Sequence, residues 1–442
     1  MFMDLPILES FKDKLGFSSG AKRYFNNTGW LFVGRVSALV VAFFVSAYMA
    51  RYLGPDQYGA LNYILSFAGL FAFLPSLGTD VVISRELVKH PELRDEMLGT
   101  GFIIKAISGM LTVAVIFFAS FIAKNDGSTT ACIVAYSFVF VFQAFNVIDL
   151  YYQAHVLSRK TVQVQLISMA ISTVLKIVFI YLKLGVFWFV LVYLLDTVTL
   201  AIGWVVVYYR NNFRILEWCF NIHKAKAILK DSWPLMLSVV SMVIYLRIDQ
   251  VMIRHMLNDT AVGVYAVAAK LSEVWYFIPG AICASLFPAI VNAKKIDHHL
   301  YQNRLQKLYS LMLWFAIAIA LFTTFFAGYV VKILFGNAYL GAVGALRIYI
   351  WAGVGTFLST AIGQYLIVEN YTGIIFFSAV VGAVSNVAIN LFFIPRYGII
   401  GAAVATLISY TLVSLSIVAF RKTRGQLLII FRALFFMPYK RT

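Results

Sequence analysis

The sequence predicts an all-α integral membrane protein with about twelve transmembrane helices. Three observations carry that expectation. Of the 442 residues, 62% are hydrophobic and only 12% charged, too few polar groups to coat a globule in water. Apolar stretches close to the ~20 residues that span a bilayer recur from about Trp30 to the C-terminus, with short polar breaks. Runs such as Leu31 to Ala50 are continuously apolar, unlike the alternating segments of an outer-membrane barrel.

The spans fall near 30–50, 60–80, 98–122, 130–154, 163–183 and 186–208, then 232–256, 261–290, 308–334, 343–368, 372–394 and 399–420. The first apolar core, Leu31 to Met49, is longer than the roughly 7 to 15 residues of a signal peptide, so it reads as a helix that stays. Basic residues favour cytoplasmic loops. With the N-terminus inside, 24 of the 36 Lys and Arg fall on the cytoplasmic side and six on the other: Arg51, Lys124, Lys183, Arg254, Lys332 and Arg396. Both termini are therefore expected in the cytoplasm. The net charge of +17 is then topology signal and contact with anionic headgroups rather than nucleic-acid binding. Cys132, Cys219 and Cys283 lack CxxC spacing and the six histidines are scattered, so no disulfide framework, metal site or cofactor is expected.

The longest polar break, Arg210 to Asp231, leaves six spans on each side. The expected organisation is a cytoplasmic segment 1–29, an N-lobe 30–208, a cytoplasmic linker 209–231, a C-lobe 232–420 and a cytoplasmic tail 421–442. A short echo ties the halves together. The first span ends Arg51-Tyr-Leu-Gly-Pro-Asp56-Gln-Tyr-Gly59, and the seventh ends Arg254-His-Met-Leu-Asn-Asp259-Thr-Ala-Val-Gly263. Both turns fall on the same expected side, so the repeats would be parallel, related by an axis along the membrane normal.

Six bases lie inside spans: Arg35, Lys105, Lys176, Arg247, Lys270 and Arg347. Each would cost about 2.5 to 3.5 kcal/mol facing lipid at a helix centre, so they are expected to face an interior. At about 1.5 Å per residue they spread over the whole membrane depth, as a pathway for an anion requires. Competing readings stay open for several. Lys270 and Glu273, three apart, share a helix face and can pair internally or meet substrate. Lys176 is expected to pair with Asp196 on the next antiparallel span, while Arg35 and Arg347 can snorkel to headgroups. Arg247 and Asp249 are about 200° apart around one helix and cannot face one cavity. Arg247, with no partner in its own helix, is the first candidate for a phosphate or acidic-sugar contact. The buried carboxylates Glu273, Asp249 and Asp196 are candidates for proton coupling, with structural pairing as the alternative. No P-loop is present, so direct ATP use is not expected.

Several stretches, in order along nearly the whole chain, carry a family likeness: Ala50 to Gly59, Leu77-Gly78-Thr79-Asp80, Arg247-Ile-Asp249, Gly263 to Leu271, Leu286-Phe287-Pro288, Asn386 to Asn390, and Pro395 to Thr406. In these the chain resembles the bacterial polysaccharide transporters, the O-antigen flippases of the Wzx type, grouped with the multidrug and toxin extruders (MATE) in one superfamily. The resemblance implies two six-helix lobes around a central cavity that opens alternately to either side, and the six in-span bases make that expected cavity a cationic, net positive one. It implies a transporter rather than an enzyme, moving undecaprenyl-diphosphate-linked oligosaccharide from the cytoplasmic to the periplasmic leaflet of the inner membrane. Implied partners are that lipid-linked oligosaccharide, membrane lipids, and the polysaccharide polymerase and chain-length proteins; the chain itself is expected to be a monomer. Two departures matter. Arg35 stands in the first span, where drug-extruding relatives carry an acidic residue, and twelve spans are counted rather than the fourteen usual in lipid II flippases. The alternatives are a membrane glycosyltransferase or polymerase acting on the same lipid-linked sugars, which the short outer loops and the lack of a DxD motif disfavour, and a multidrug cation antiporter, which the basic interior disfavours.

Overall fold

The computed structural model describes the backbone of residues 19–435 and, except at 19–28, 31–33, 35, 234, 235 and 238, their side chains. Every regular element among the described residues is helical. The helices of nine residues or more are α1 (Ser19–Gly69), α2 (Thr79–Lys89), α3 (Arg94–Ile122), α4 (Gly127–Ser137), α5 (Asn146–Ala154), α6 (Ser158–Tyr181), α7 (Val186–Arg210), α8 (Ile222–Met256), α9 (Asp259–Glu273), α10 (Phe277–Ile296), α11 (His298–Phe335), α12 (Ala342–Val368), α13 (Thr372–Leu415) and α14 (Gly425–Leu434). Four of them begin at an Asp or Asn whose side chain accepts from the first turn. Asp126 takes the Thr129 N–H, Asn221 the His223 N–H, Asn258 the Ala261 N–H and Asp297 the Leu300 N–H, at 2.8 to 3.0 Å.

Nine helical stretches among the described residues are long and apolar enough to cross a membrane. Two of these, Val36–Lys89 and Thr372–Ala419, reverse direction inside. At Gly54 the backbone turns to φ 70°, and Ser46 Oγ then meets Tyr58 OH at 2.9 Å, although twelve residues of straight helix would separate them by about 18 Å. At Gly398, φ is 59°, and a Cβ on Gly401 would lie 2.2 Å from the Phe393 carbonyl oxygen, eight residues back. Glycine tolerates such left-handed angles without Cβ strain. Counting each reversal as two passes, and α8 with its 35 residues as one more, the described chain makes twelve crossings.

The helices up to Arg210 pack on one another, as do those from Ile222 onward; the two halves meet most closely where the second limb of α1 lies against α9, and also where α8 lies against α1, α2 and α3. This seam is built from the echo seen in the sequence. A Cβ on Gly59 would sit 1.7 Å from the Asp259 carbonyl oxygen, and one on Gly263 would sit 2.0 Å from that of Pro55. Each glycine thus faces the carbonyl of the residue four before the other glycine. The flanking arginines repeat the pattern: Arg51 reaches the Lys332 and Ile333 carbonyls in the second half, while Arg254 reaches Asn125 in the first. Small residues let the two backbones touch. Gly59→Ala should therefore lower the melting temperature of the purified protein well beyond Gly328→Ala, because a Cβ at 328 meets nothing within 4 Å.

The expected linker is shorter than its polar composition suggests. Residues 222–231 form the first turns of α8, and the preceding segment is strapped to α3, with the Cys219 N–H on the Asp95 carbonyl at 3.3 Å and the Asn221 N–H on Thr100 Oγ1 at 3.1 Å. Part of the expected tail is likewise α14, docked on α11 by Tyr309 OH donating to Gln426 Oε1 at 3.0 Å. Residues 1–18 and 436–442 of the expected terminal segments lie outside the described residues.

Candidate functional site

At mid-membrane, α8 presents two opposite faces, as the 200° between Arg247 and Asp249 requires. Arg247 points toward the first half, with its Cγ 3.9 Å from where a Cβ on Gly69 would be. Among the described residues its guanidinium makes no hydrogen bond and no ion pair within 4 Å. It lines a cavity of about 350 Å³ together with Glu273, Tyr276, Thr356, Thr360 and Tyr410. Glu273 Oε1 accepts from Tyr349 OH at 3.0 Å and lies within electrostatic reach of Arg247. An apolar cleft of about 280 Å³ shares Met242, Tyr245 and Val413 with this cavity and continues it between α8, α12 and α13.

Asp249 faces the interior of the second half, only 3% exposed. Its carboxylate accepts from Asn390 Nδ2 at 2.7 Å, Tyr265 OH at 2.7 Å and Thr406 Oγ1 at 2.6 Å. Asn390 also donates to Asn386 Oδ1 at 3.0 Å. The cage draws on α8, α9 and both limbs of α13, and the donors are all neutral. Spacing in the sequence offered no signal for it, because Asn390 and Thr406 lie 141 and 157 residues from Asp249.

The other bases do not form the single lined pathway expected from their depths. Lys105 is buried in an ion pair with Asp80, a carboxylate at the start of α2. Arg347 is exposed, its Nε donating to the Thr324 carbonyl at 3.3 Å, as a snorkelling side chain would be. The Arg35 side chain lies outside the described residues. Lys176 forms no ion pair with Asp196. Its ammonium sits 4.4 Å over the Tyr193 ring, with Asp196 within electrostatic reach and accepting from Ser168 Oγ at 2.8 Å. Lys270 forms no ion pair with Glu273 either; its Nζ reaches across the seam to Ser46 Oγ, which in turn meets Tyr58 OH. Lys176 and Lys270 remain within electrostatic reach of each other. Since Lys105 and Asp80 complete one another, Lys105→Met should destabilise the protein by about 1 to 3 kcal/mol, and Asp80→Asn in the same chain should recover most of the loss, read by thermal unfolding.

At the end that carries Gly54, the halves are latched. Arg254 donates to Asp259 Oδ1 at 2.6 Å and Asn125 Oδ1 at 3.0 Å, pairs with Asp126 at 3.5 Å, and lies 4.2 Å over the Tyr63 ring. Asp126 has its carboxyl held well below the ordinary carboxylate range by the Ser128 and Thr129 hydroxyls and the Thr129 N–H, so it stays ionised opposite Arg254. The arrangement is a two-half bundle latched at the Gly54 end and joined at the other by the Arg85–Asp231 pair at 2.7 Å, with a guanidinium free of hydrogen bonds in a cavity near its centre.

Comparison with known proteins fits that architecture. A profile of the family described as polysaccharide biosynthesis protein matches residues 24–294. The probable flippase AglR of Haloferax volcanii is 27% identical over 184 residues, 39% of this chain and 37% of that protein. An Lsg locus protein of Haemophilus influenzae is 25% identical over 282 residues, 60% of this chain and 65% of that one. The chain thus spans between about a third and two thirds of the length of these two curated relatives. Among solved structures, a multidrug resistance MATE family transporter of the MOP superfamily in an inward-facing conformation aligns with a TM-score of 0.72 at 17% identity, over 89% of this chain and 96% of that one. The lipid II flippase MurJ in an inward closed conformation gives 0.68 at 14% identity, over 93% of each chain. At such identities the likeness establishes the fold, which is MATE-like.

Proposed function

This chain belongs to the polysaccharide biosynthesis protein family, and we propose that within it the chain works as a flippase. It moves undecaprenyl-diphosphate-linked oligosaccharide from the cytoplasmic to the periplasmic leaflet of the bacterial inner membrane by alternating access. The observation that carries this reading is Arg247: a guanidinium held at mid-membrane, facing the other half, with no hydrogen-bonding partner among the described residues. An arginine at that depth is costly unless it serves a ligand, and its planar fork matches phosphate oxygens. Lys270 and Lys176, near each other on α9 and α6, extend positive potential away from it.

The 24-to-six charge asymmetry supports placing the linker end and both termini in the cytoplasm, and with them the latched Gly54 end outward. In this state the outer side is shut by Arg254 and its partners. Rocking the halves about the Gly59–Gly263 seam would open that latch and carry the cavity to the other leaflet. The apolar cleft beside the cavity lets a lipid tail stay in an apolar setting while its headgroup meets Arg247.

Coupling is assigned to Asp249. As a carboxylate it only accepts, and both Tyr265 and Thr406 donate to Oδ2. A proton on Oδ2 turns that oxygen into a donor, so one of those hydroxyls must accept instead, as Thr406 can while donating to the Ala402 carbonyl at 3.0 Å. That rearranges the hydrogen bonds joining α8, α9 and the second limb of α13, linking proton uptake to the helix that forms the seam. Asp196, which accepts from Ser168 Oγ, is given a structural role, and Glu273, which lines the cavity, a ligand-facing one.

The reading is tested in spheroplasts. With the protein present, lipid-linked glycan should become accessible to a membrane-impermeant glycosidase outside; without it, the glycan should stay protected. Glycan that is instead extended or cleaved, with no change of leaflet, would favour the glycosyltransferase alternative.

A further inference from the structure

We propose that Glu273 is the release residue of the Arg247 site: a built-in counter-ion, held off by Tyr349, that competes with the ligand's phosphate for the guanidinium. This rests on the flippase reading and adds how a bound anion is let go. Arg247, on α8, and Glu273, at the end of α9, line one cavity of about 350 Å³. They lie within electrostatic reach of each other, yet among the described residues they form no ion pair within 4 Å. Opposite charges inside a bilayer attract strongly, so something keeps these two apart. Tyr349 does so from α12: its O–H donates to Glu273 Oε1 at 3.0 Å. The Tyr349 ring is itself fixed, 2% exposed and packed edge-on against Tyr265 with centroids 5.8 Å apart. Glu273 Oε2 accepts no hydrogen bond among the described residues. Lys270, one turn earlier on α9, does not take it, because its Nζ is on Ser46 Oγ across the seam.

A carrier must hold its ligand firmly enough to load and loosely enough to let it leave. Arg247 alone would grip a phosphate through two charge-assisted hydrogen bonds and give it up slowly. Glu273 opposes that grip in two ways. Its charge repels the phosphate while the ligand is seated, and its free oxygen offers Arg247 a replacement partner as the phosphate departs. A carboxylate serving only to neutralise Arg247 would gain most by touching it, and this one is tethered short of contact.

The test is equilibrium binding of a short-chain prenyl diphosphate to the full-length protein in detergent, with the prenyl alcohol as uncharged control, beside translocation in liposomes. Glu273→Gln should bind the diphosphate about tenfold more tightly, the scale of one charge acting across a cavity, and bind the alcohol as the wild type does. Its maximal translocation rate should fall by a similar factor, and Glu273→Asp, which keeps the charge, should retain most of the wild-type rate. Tyr349→Phe frees the carboxylate to reach Arg247 and should weaken diphosphate binding, an effect that disappears when Glu273→Gln is added. Three results overturn the proposal: diphosphate binding unchanged or weaker in Glu273→Gln, tighter binding with an undiminished maximal rate, or an effect of Tyr349→Phe that persists without the carboxylate. The binding order is read without transport. A wild type that fails to translocate while that order holds therefore counts against the flippase reading and for the competition between Glu273 and phosphate.

Discussion

Arg247→Ala should lower translocation by about a hundredfold while leaving the melting temperature nearly unchanged. The two parts of this expectation have one origin. Among the described residues Arg247 makes no hydrogen bond and no ion pair within 4 Å, so removing it breaks no short contact and withdraws only its longer-range attraction for Glu273. A phosphate bound by its fork would lose two charge-assisted hydrogen bonds, each about 1.5 to 3 kcal/mol, and 1.4 kcal/mol is tenfold. Arg247→Lys should fall between, keeping the charge but losing the paired geometry. Flux and thermal unfolding measured on the same preparations check both parts, and normal flux in the alanine variant would remove Arg247 from the pathway.

Asp249 should separate fold from coupling. Asp249→Ala strands the Tyr265, Asn390 and Thr406 donors in a region closed to water, at about 1 to 3 kcal/mol for each group left unmatched. Secondary contacts soften this, since Tyr265 also meets Thr406 at 3.1 Å and Thr406 donates to the Ala402 carbonyl at 3.0 Å. A total loss of about 3 kcal/mol or more is expected in thermal unfolding. Asp249→Asn keeps the shape of the cage and one of its two acceptor oxygens, the one Tyr265 and Thr406 share, but cannot cycle a proton. It should fold, and its transport should no longer respond to an imposed proton gradient. A gradient response equal to wild type in that variant would place coupling elsewhere.

How far the sequence reached depends on the range of the forces involved. The bilayer imposes length and polarity on every span, so twelve crossings are legible from composition, including the tight reversals that Gly54 and Gly398 permit. The repeated Arg, Asp and Gly turns are also visible, and the structure gives them a purpose: Gly59 and Gly263 are where the halves touch. Helical periodicity places Arg247 and Asp249 on opposite faces before any coordinates exist. Partner choice is another matter. Lys105 takes Asp80 and Lys176 takes the Tyr193 ring, because helix rotation and neighbouring hydroxyls decide which group an ammonium meets. The Asp249 cage joins residues far apart in the chain, and no local pattern announces it. The polar composition of 209–231 likewise concealed that its last ten residues are helix, since charged residues on a cytoplasmic helix read much like those of a loop.

The central claim, that lipid-linked glycan crosses through the Arg247 cavity, is tested most directly in liposomes. A fluorescent undecaprenyl-diphosphate oligosaccharide is reconstituted with wild-type protein or Arg247→Ala, and its exposure to an impermeant enzyme is followed over time. Protein-dependent translocation that is lost in the variant is the expected result. Equal translocation by both proteins, or none by the wild type with either neutral or acidic glycans, would contradict it.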